Sequence, residues 1–214
     1  MKTIVRIRIG VSLLVIILIM VLVFILPRVI KGYDFFNDKT CSPPCLANII
    51  PGVTTDAEAF KIVSANKNFG SCNLIDQTKQ GGTKYIHCQS YKSYIMIGFD
   101  KNLVAGIGIH PYPNISIKTI IEKFGYPDGV SCSFVNLPDY PQRVKLILRF
   151  DTYFTTVNLP EISGNRCILS ADTNIDMVGY GSKDSYEESK RAAARLNDLQ
   201  SWEGFTTYQG KDLP

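Results

Sequence analysis

The side chains of this chain that could do chemistry are few and scattered: two histidines, six cysteines and a handful of turn-flanking carboxylates. A Ser or Cys nucleophile needs a histidine that a carboxylate can orient. Only His87 and His110 are available, and His87 precedes Cys88, a residue expected in a disulfide. Both fall on strand-like runs, where a packed or surface histidine is the ordinary reading. There is no Gly-x-Ser-x-Gly, no His-Glu-x-x-His and no phosphate loop. Gly106-x-Gly108 is too short for a dinucleotide fingerprint and ends a strand instead of opening a helix. Asp100 and Asp151 each follow a phenylalanine at a strand end. Two carboxylates could do glycosidase work at the right separation, but an aspartate in such a place is more often a turn former. Glu187-Glu188 with Lys190-Arg191 reads as a solvated helix face. No catalytic residue and no cofactor are assigned.

The cysteines carry more. All six lie beyond residue 40, and an even set in an exported segment reads as disulfides. Six cysteines admit fifteen connectivities, and spacing only ranks them. Cys41 and Cys45 enclose the stiff loop Ser42-Pro43-Pro44, Cys72 and Cys88 flank a turn at Gly81-Gly82, and Cys132 and Cys167 remain. The metal alternative is weak, because Cys41-x3-Cys45 with distant His87 and His110 lacks zinc-finger spacing.

Disulfides require export, and the N-terminus supplies a route. Ile9 to Leu26 carries no charge and is mostly Leu, Ile and Val. As a helix it spans ~27 Å, close to the ~30 Å hydrocarbon core. Pro27 and Arg28 close it. A cleaved signal peptide is the alternative, but the run exceeds the usual ~7–15 apolar residues and no small-x-small site follows Leu26. A lipoprotein would need a cysteine directly after the run, and the first is Cys41. Lys2, Arg6 and Arg8 precede the span, which points the N-terminus to the cytoplasm and the body outside.

The formal charge of +4 misleads, because Lys2, Arg6, Arg8, Arg28 and Lys31 account for it and the rest of the chain is nearly neutral. A basic nucleic-acid-binding domain is therefore not expected. With 45% hydrophobic residues the body has enough apolar material for a packed core.

The expected organisation is a cytoplasmic tail at 1–8, a transmembrane helix at 9–30, a tether and leading loop at 31–50, α+β units at 51–113 and 114–182, and a C-terminal helix and tail at 183–214. Tyr33, Phe35 and Phe36 in the tether suit a membrane interface or the start of the core. A first helix is expected over Thr55 to Ala65, with Thr55 and Glu58 as a capping box and Ala59, Ile62 and Val63 inward. A second runs from Ser116 to Phe124, burying Ile117, Ile120, Ile121 and Phe124 and stopped by Gly125 and Pro127. A third runs from Ser185 to Gln200, with Ser185 and Glu188 as its capping box and a thin apolar face of Ala192, Leu196 and Leu199. Strand-like runs fill 71–76, 84–89, 94–99, 103–109, 130–135, 143–150, 153–159 and 175–180.

The two units share landmarks: Phe69-Gly70 and Phe124-Gly125 after a helix, Ser71-Cys72 and Ser131-Cys132 at a strand start, and Phe99-Asp100 and Phe150-Asp151 at a strand end. This suggests an internal repeat. A single unit of ~60 residues is marginal alone, so two would share one sheet.

Pro51-Gly52-Val53-Thr54-Thr55-Asp56-Ala57-Glu58-Ala59 resembles the helix start of small extracytoplasmic proteins. Asn114-Ile115-Ser116 through Phe124-Gly125-Tyr126-Pro127-Asp128 resembles their helix–Leu/Phe-Gly-x-Pro element. Together they are similar to the superfamily of BamE/SmpA-type lipoproteins and β-lactamase-inhibitor proteins. Cys41-Ser42-Pro43-Pro44-Cys45 and the late Trp202-x-Gly204-Phe205 also resemble uncharacterised membrane-anchored bacterial proteins of Chloroflexota type. The resemblance implies tandem helix-plus-antiparallel-sheet units acting as protein-binding scaffolds. It carries over no contact residue, and the chain departs from the lipoprotein pattern at the membrane boundary.

The expected function is a non-enzymatic binding or scaffold module, anchored in the membrane and facing an envelope protein, with no small-molecule ligand. A cell-surface hydrolase using Asp or Glu and a purely structural envelope protein are the alternatives. An exposed sheet face lined by aromatics, drawn from Tyr85, Tyr91, Tyr94, Tyr112, Tyr126, Tyr140, Tyr153 and Phe154, would favour the binder. A cleft with two close carboxylates would favour the hydrolase.

Overall fold

The computed structural model describes Met20 and residues 40–90, 93–111, 114–135, 143–160, 162–163, 166–196 and 198–212. The chain divides into two compact units, residues 1–34 and 35–214. The expected anchor at 9–30 lies outside the described residues apart from Met20, as do Tyr33, Phe35 and Phe36. Among the described residues no helix is long and apolar enough to cross a membrane.

The second unit is an α+β body with three α-helices among the described residues. Helix α1, Asp56–Ala65, starts where the capping chemistry places it. Thr55 Oγ1 accepts from the Glu58 N–H at 3.3 Å, and Glu58 Oε2 accepts from the Thr55 N–H at 3.0 Å. It buries Ala59 and Val63, while Ile62 is only half-buried. Helix α2, Ile117–Phe124, is capped by Ser116 and buries Ile117, Ile120 and Phe124. Helix α3, Lys183–Arg195, begins earlier than expected and ends before Gln200. Ser182 is its N-cap, accepting from the Ser185 N–H at 3.2 Å, so Ser185 lies inside the first turn and is no cap. Its buried residues are Tyr186 and Ala193, whereas Ala192 and Leu196 are exposed. The start is set by the sheet: the Ser182 N–H is held by the Ala105 carbonyl at 3.0 Å, directly after a strand ends.

In chain order the strands are β1 Ser71–Asp76, β2 Lys84–Gln89, β3 Ser93–Asp100, β4 Leu103–Pro111, β5 Gly129–Val135, β6 Arg143–Phe150, β7 Thr155–Asn158, β8 Ile162–Ser163, β9 Cys167–Ile168, β10 Met177–Gly181, β11 Leu199–Ser201, β12 Thr207–Tyr208 and β13 Lys211–Asp212. The run expected at 153–159 begins at Thr155, because Asp151–Tyr153 make a 3-10 turn and Phe154 takes a left-handed φ of 45°. Nine strands follow the order β1-β2-β3-β4-β10-β7-β6-β5-β11. β8 joins β6, β13 joins β5 as a parallel pair, and every other pairing is antiparallel. β9 and β12 form a separate pair.

β1 to β4 thus lie on one side of the β4–β10 seam and β10, β7, β6, β5 and β11 on the other, and the seam joins them in one sheet. The two helix N-caps also meet the chain alike: Thr55 bridges Leu103 at the start of β4, and Ser116 bridges Asn174 just before β10. The Phe-Gly landmark falls at comparable places, with Gly70 and Gly125 at φ of 73° and 80°. The other two landmarks do not. Cys72 faces Cys88 across β1 and β2, but Cys132 faces Leu146. Phe99 lies near the end of β3 and Phe150 ends β6, and these strands occupy different places in the strand order.

Strand alternation explains the core. One sheet face carries Ile86, Ile95, Ile97, Ile107, Ile109, Val178, Val157, Leu148 and Val130, all buried. α2 covers this face through Phe124, whose ring lies 5.6 Å from that of Phe150. The six cysteines form three disulfides, Cys41–Cys45, Cys72–Cys88 and Cys132–Cys167. The last ties the β9–β12 pair to β5.

Candidate functional site

The opposite sheet face is treated differently on the two sides of the seam. Beyond β10 it is roofed by α3. Arg149 on β6 is 3% exposed under this roof, donating from Nε to Ser131 Oγ at 3.4 Å and from Nη1 to Ser189 Oγ at 3.2 Å. Burial lowers its pKa, and the nearby carboxylates of Asp198 and Asp151 oppose that shift. Asp198 is equally enclosed; Oδ2 accepts from Ser133 Oγ at 3.2 Å, and Oδ1 has no partner among the described residues. Burial raises the Asp198 carboxyl above its usual range. At the edge of the roof, Tyr186 donates to Asp151 Oδ1 at 2.7 Å and Lys190 pairs with the other carboxylate oxygen. This cluster fastens α3 to the sheet.

On the β1–β4 side no described helix covers the same face. Register places Gln89 beside Tyr94 and Tyr94 beside His110. It likewise sets His87 beside Met96 and Met96 beside Gly108. Both histidines of the chain thus flank one tyrosine, with ring centroids 4.6 Å and 5.2 Å from that of Tyr94. His110 Nδ1 lies 3.5 Å from Asp176 Oδ1, and His87 Nε2 is buried with no partner among the described residues. Tyr94 and Met96 stay 36% and 38% exposed, high for large apolar side chains in the middle of a sheet.

Next to this strip, at the seam, lies a groove of about 320 Å³. Its floor is glycine: Gly98, Gly106 and Gly181 stand in one cross-strand row, and Gly108 and Gly179 in the next. Met96 and Met177 form part of its wall, and Phe154 and Tyr186 another part, their rings 5.9 Å apart. Thr156, Ser185 and Ser189 bring hydroxyls to it. Among the described residues no Asp, Glu, Lys or Arg lines it.

No family model, curated protein or solved structure matches this chain.

The two histidines weighed for chemistry meet around Tyr94, and the two aspartates take local roles at other places. Asp100 sits at the β3–β4 turn, paired with Leu103 around Lys101 and Asn102. Asp151 sits after β6 with both carboxylate oxygens engaged by α3. Burial pushes its carboxyl up, but the Lys190 and Tyr186 hydrogen bonds outweigh this and its pKa is lowered. Among the described residues no group of three or more His, Cys, Asp or Glu side chains could hold a metal. Of the candidate aromatics, Tyr94 and Tyr85 belong to the open face and Phe154 to the groove. Tyr153 packs against Phe124, and Tyr126 stacks on Trp202. Tyr91, Tyr112 and Tyr140 lie outside the described residues. Sequence reasoning missed the glycine floor, although Gly106-x-Gly108 and Gly179-x-Gly181 both show the alternation of one strand face.

Proposed function

We propose that this chain is a single-pass, membrane-anchored binding module. Its disulfide-bonded body would lie outside the cytoplasmic membrane, and its partner is another envelope protein. The reading is non-enzymatic. It rests on one observation: the sheet face that α3 roofs beyond the seam has no described helix over β2–β4, where it presents Tyr94 and Met96 beside a glycine-floored groove. Aromatic and methionine side chains on an uncovered face are what protein interfaces concentrate. The uncharged stretch Ile9 to Leu26 and the three disulfides support the location. The like arrangement of N-caps and strand order on the two sides of the seam supports a tandem origin of the units.

The test is site-specific photocrosslinking in intact cells, with a photoreactive residue in the full chain at Met96 or at the exposed α2 residue Lys118. A discrete protein adduct from position 96, absent from position 118, is expected. Equal adducts from both positions, or none from position 96, would sink the reading. Alkaline extraction of the same cells should leave the chain in the membrane pellet, and its release would remove the anchor.

A further inference from the structure

We infer that the groove at the β4–β10 seam seats a planar aromatic side chain, tryptophan or tyrosine, presented by the partner protein. The inference rests on the binding-module reading above and adds the chemistry that the surface selects. At about 320 Å³ the groove is at the bottom of the ~300–1,000 Å³ range of ligand sites, room for one ring and not for an extended ligand. Among the described residues its lining carries no formal charge, so a charged side chain would lose hydration there without a described counter-ion.

The floor argues for a flat occupant. Glycine in a strand interior is less stabilising than alanine, and it often marks places where something approaches the backbone closely. Neighbouring atoms crowd three of these glycines, and a Cβ on Gly106 would come within 3.2 Å of the Tyr180 carbonyl oxygen. A Cβ on Gly108 would come within 2.9 Å of Met177 Sδ, and one on Gly179 within 2.9 Å of Thr156 Oγ1. Gly98 has no such cause. A Cβ there would meet nothing within 4 Å, and its φ is outside the left-handed region, so the bulge that follows it does not demand glycine. The empty space above Gly98 is the groove itself.

The walls favour a ring with one polar handle. Met96 and Met177 offer thioether sulfur, which contacts aromatic rings favourably. Thr156, Ser185 and Ser189 can accept from an indole N–H or phenol O–H. The groove opens directly onto the Tyr94–Met96 strip through Met96, so a ring seated there would sit inside a wider contact instead of being engulfed as a free small molecule.

The experiment is an amide NMR titration of the full chain in detergent micelles with N-acetyl-tryptophanamide, and N-acetyl-leucinamide as comparator. The amides of Gly98, Gly106, Gly108, Gly179 and Gly181 should shift saturably with the tryptophan compound. The response to the leucine compound should be at least about tenfold weaker. Gly98→Val, which fills the groove with a residue suited to strands, should abolish the shifts and leave the melting temperature at or above that of the parent. Met96→Lys, at a solvent-exposed position, should abolish them as well and carries the test should Gly98→Val not fold. No saturable shift, equal response to leucine, or shifts that persist in a folded variant would overturn the inference. An adduct at position 96 with no ring response would sink the groove inference and leave the module standing. A ring response without that adduct would remove the partner as the ring's source.

Discussion

Removing one hydroxyl should loosen α3 from the sheet by an amount that depends on pH. Tyr186 is 3% exposed and donates to Asp151 Oδ1 at 2.7 Å, while Lys190 holds the other oxygen. Tyr186→Phe keeps the ring packing and deletes this bond alone. A hydrogen bond to a charged acceptor is worth about 1.5–3 kcal/mol. The Asp151 side chain is 36% exposed, so water can replace the lost donor and screening reduces the value, which places the loss near ~1.5 kcal/mol. For a body of this size each kcal/mol moves Tm by roughly 2–4 °C, so the variant should melt about 3–6 °C lower at pH 7. The pH dependence follows from the sign of the shift. Burial pushes the Asp151 carboxyl up, but its bonds to Lys190 and Tyr186 hold the folded pKa below the ordinary value. A carboxylate of this kind contributes stability that is complete above its unfolded pKa of about 3.9 and is lost as pH falls through the folded pKa. Tyr186→Phe returns the folded pKa toward the ordinary value, so its acid unfolding should begin at higher pH than that of the parent. Thermal melts at pH 7 followed by near-UV circular dichroism, with acid titrations of both proteins, measure both effects. Equal Tm at pH 7, or acid unfolding of the variant at the same or lower pH than the parent, would refute the claim that this charged bond fastens the helix.

Three further outcomes are expected. Gly70→Ala should cost more than Gly125→Ala in urea unfolding, because both need a positive φ worth about 1–2 kcal/mol but only the Gly70 Cβ would strike backbone, 2.3 Å from the Gln89 carbonyl oxygen; the reverse order would contradict the register of β1 on β2. Ile97→Ala, at a fully buried position of β3, should lower unfolding free energy by about 2–5 kcal/mol in the same assay. The paired replacement Cys72→Ser with Cys88→Ser opens a link of sequence separation 16 and should cost about 3 kcal/mol, and non-reduced, denatured parent protein should show no thiol reactive to maleimide beforehand.

Much of the scaffold was legible because it depends on near neighbours. Thr55 with Glu58, and Ser116 ahead of Ile117, Ile120 and Phe124, place two helices within one residue of where they lie, since capping and the 3.6-residue period act inside one or two turns. The long strands follow from two-residue alternation, as in Ile95 and Ile97 or Ile107 and Ile109. Helix α3 was displaced at its start because nothing in its own residues names Ser182 over Ser185; the carbonyl of Ala105, far away in sequence, makes that choice. β8, β9 and β11 to β13 are two or three residues long and too short for any period to show.

The amino-acid order by itself determined the uncharged leading run, the capped helices, the alternating strands and the even set of cysteines. The pairing across the β4–β10 seam decided the rest. It brings Gly181 into one row with Gly106 and Gly98 and sets the half-face under α3 beside one that no described helix covers, while the β2–β3–β4 pairing puts Tyr94 between two histidines. Helix caps and hydrophobic periods are settled within a few residues, whereas which face of a strand is covered depends on the register of segments tens of residues apart, and no local rule contains it.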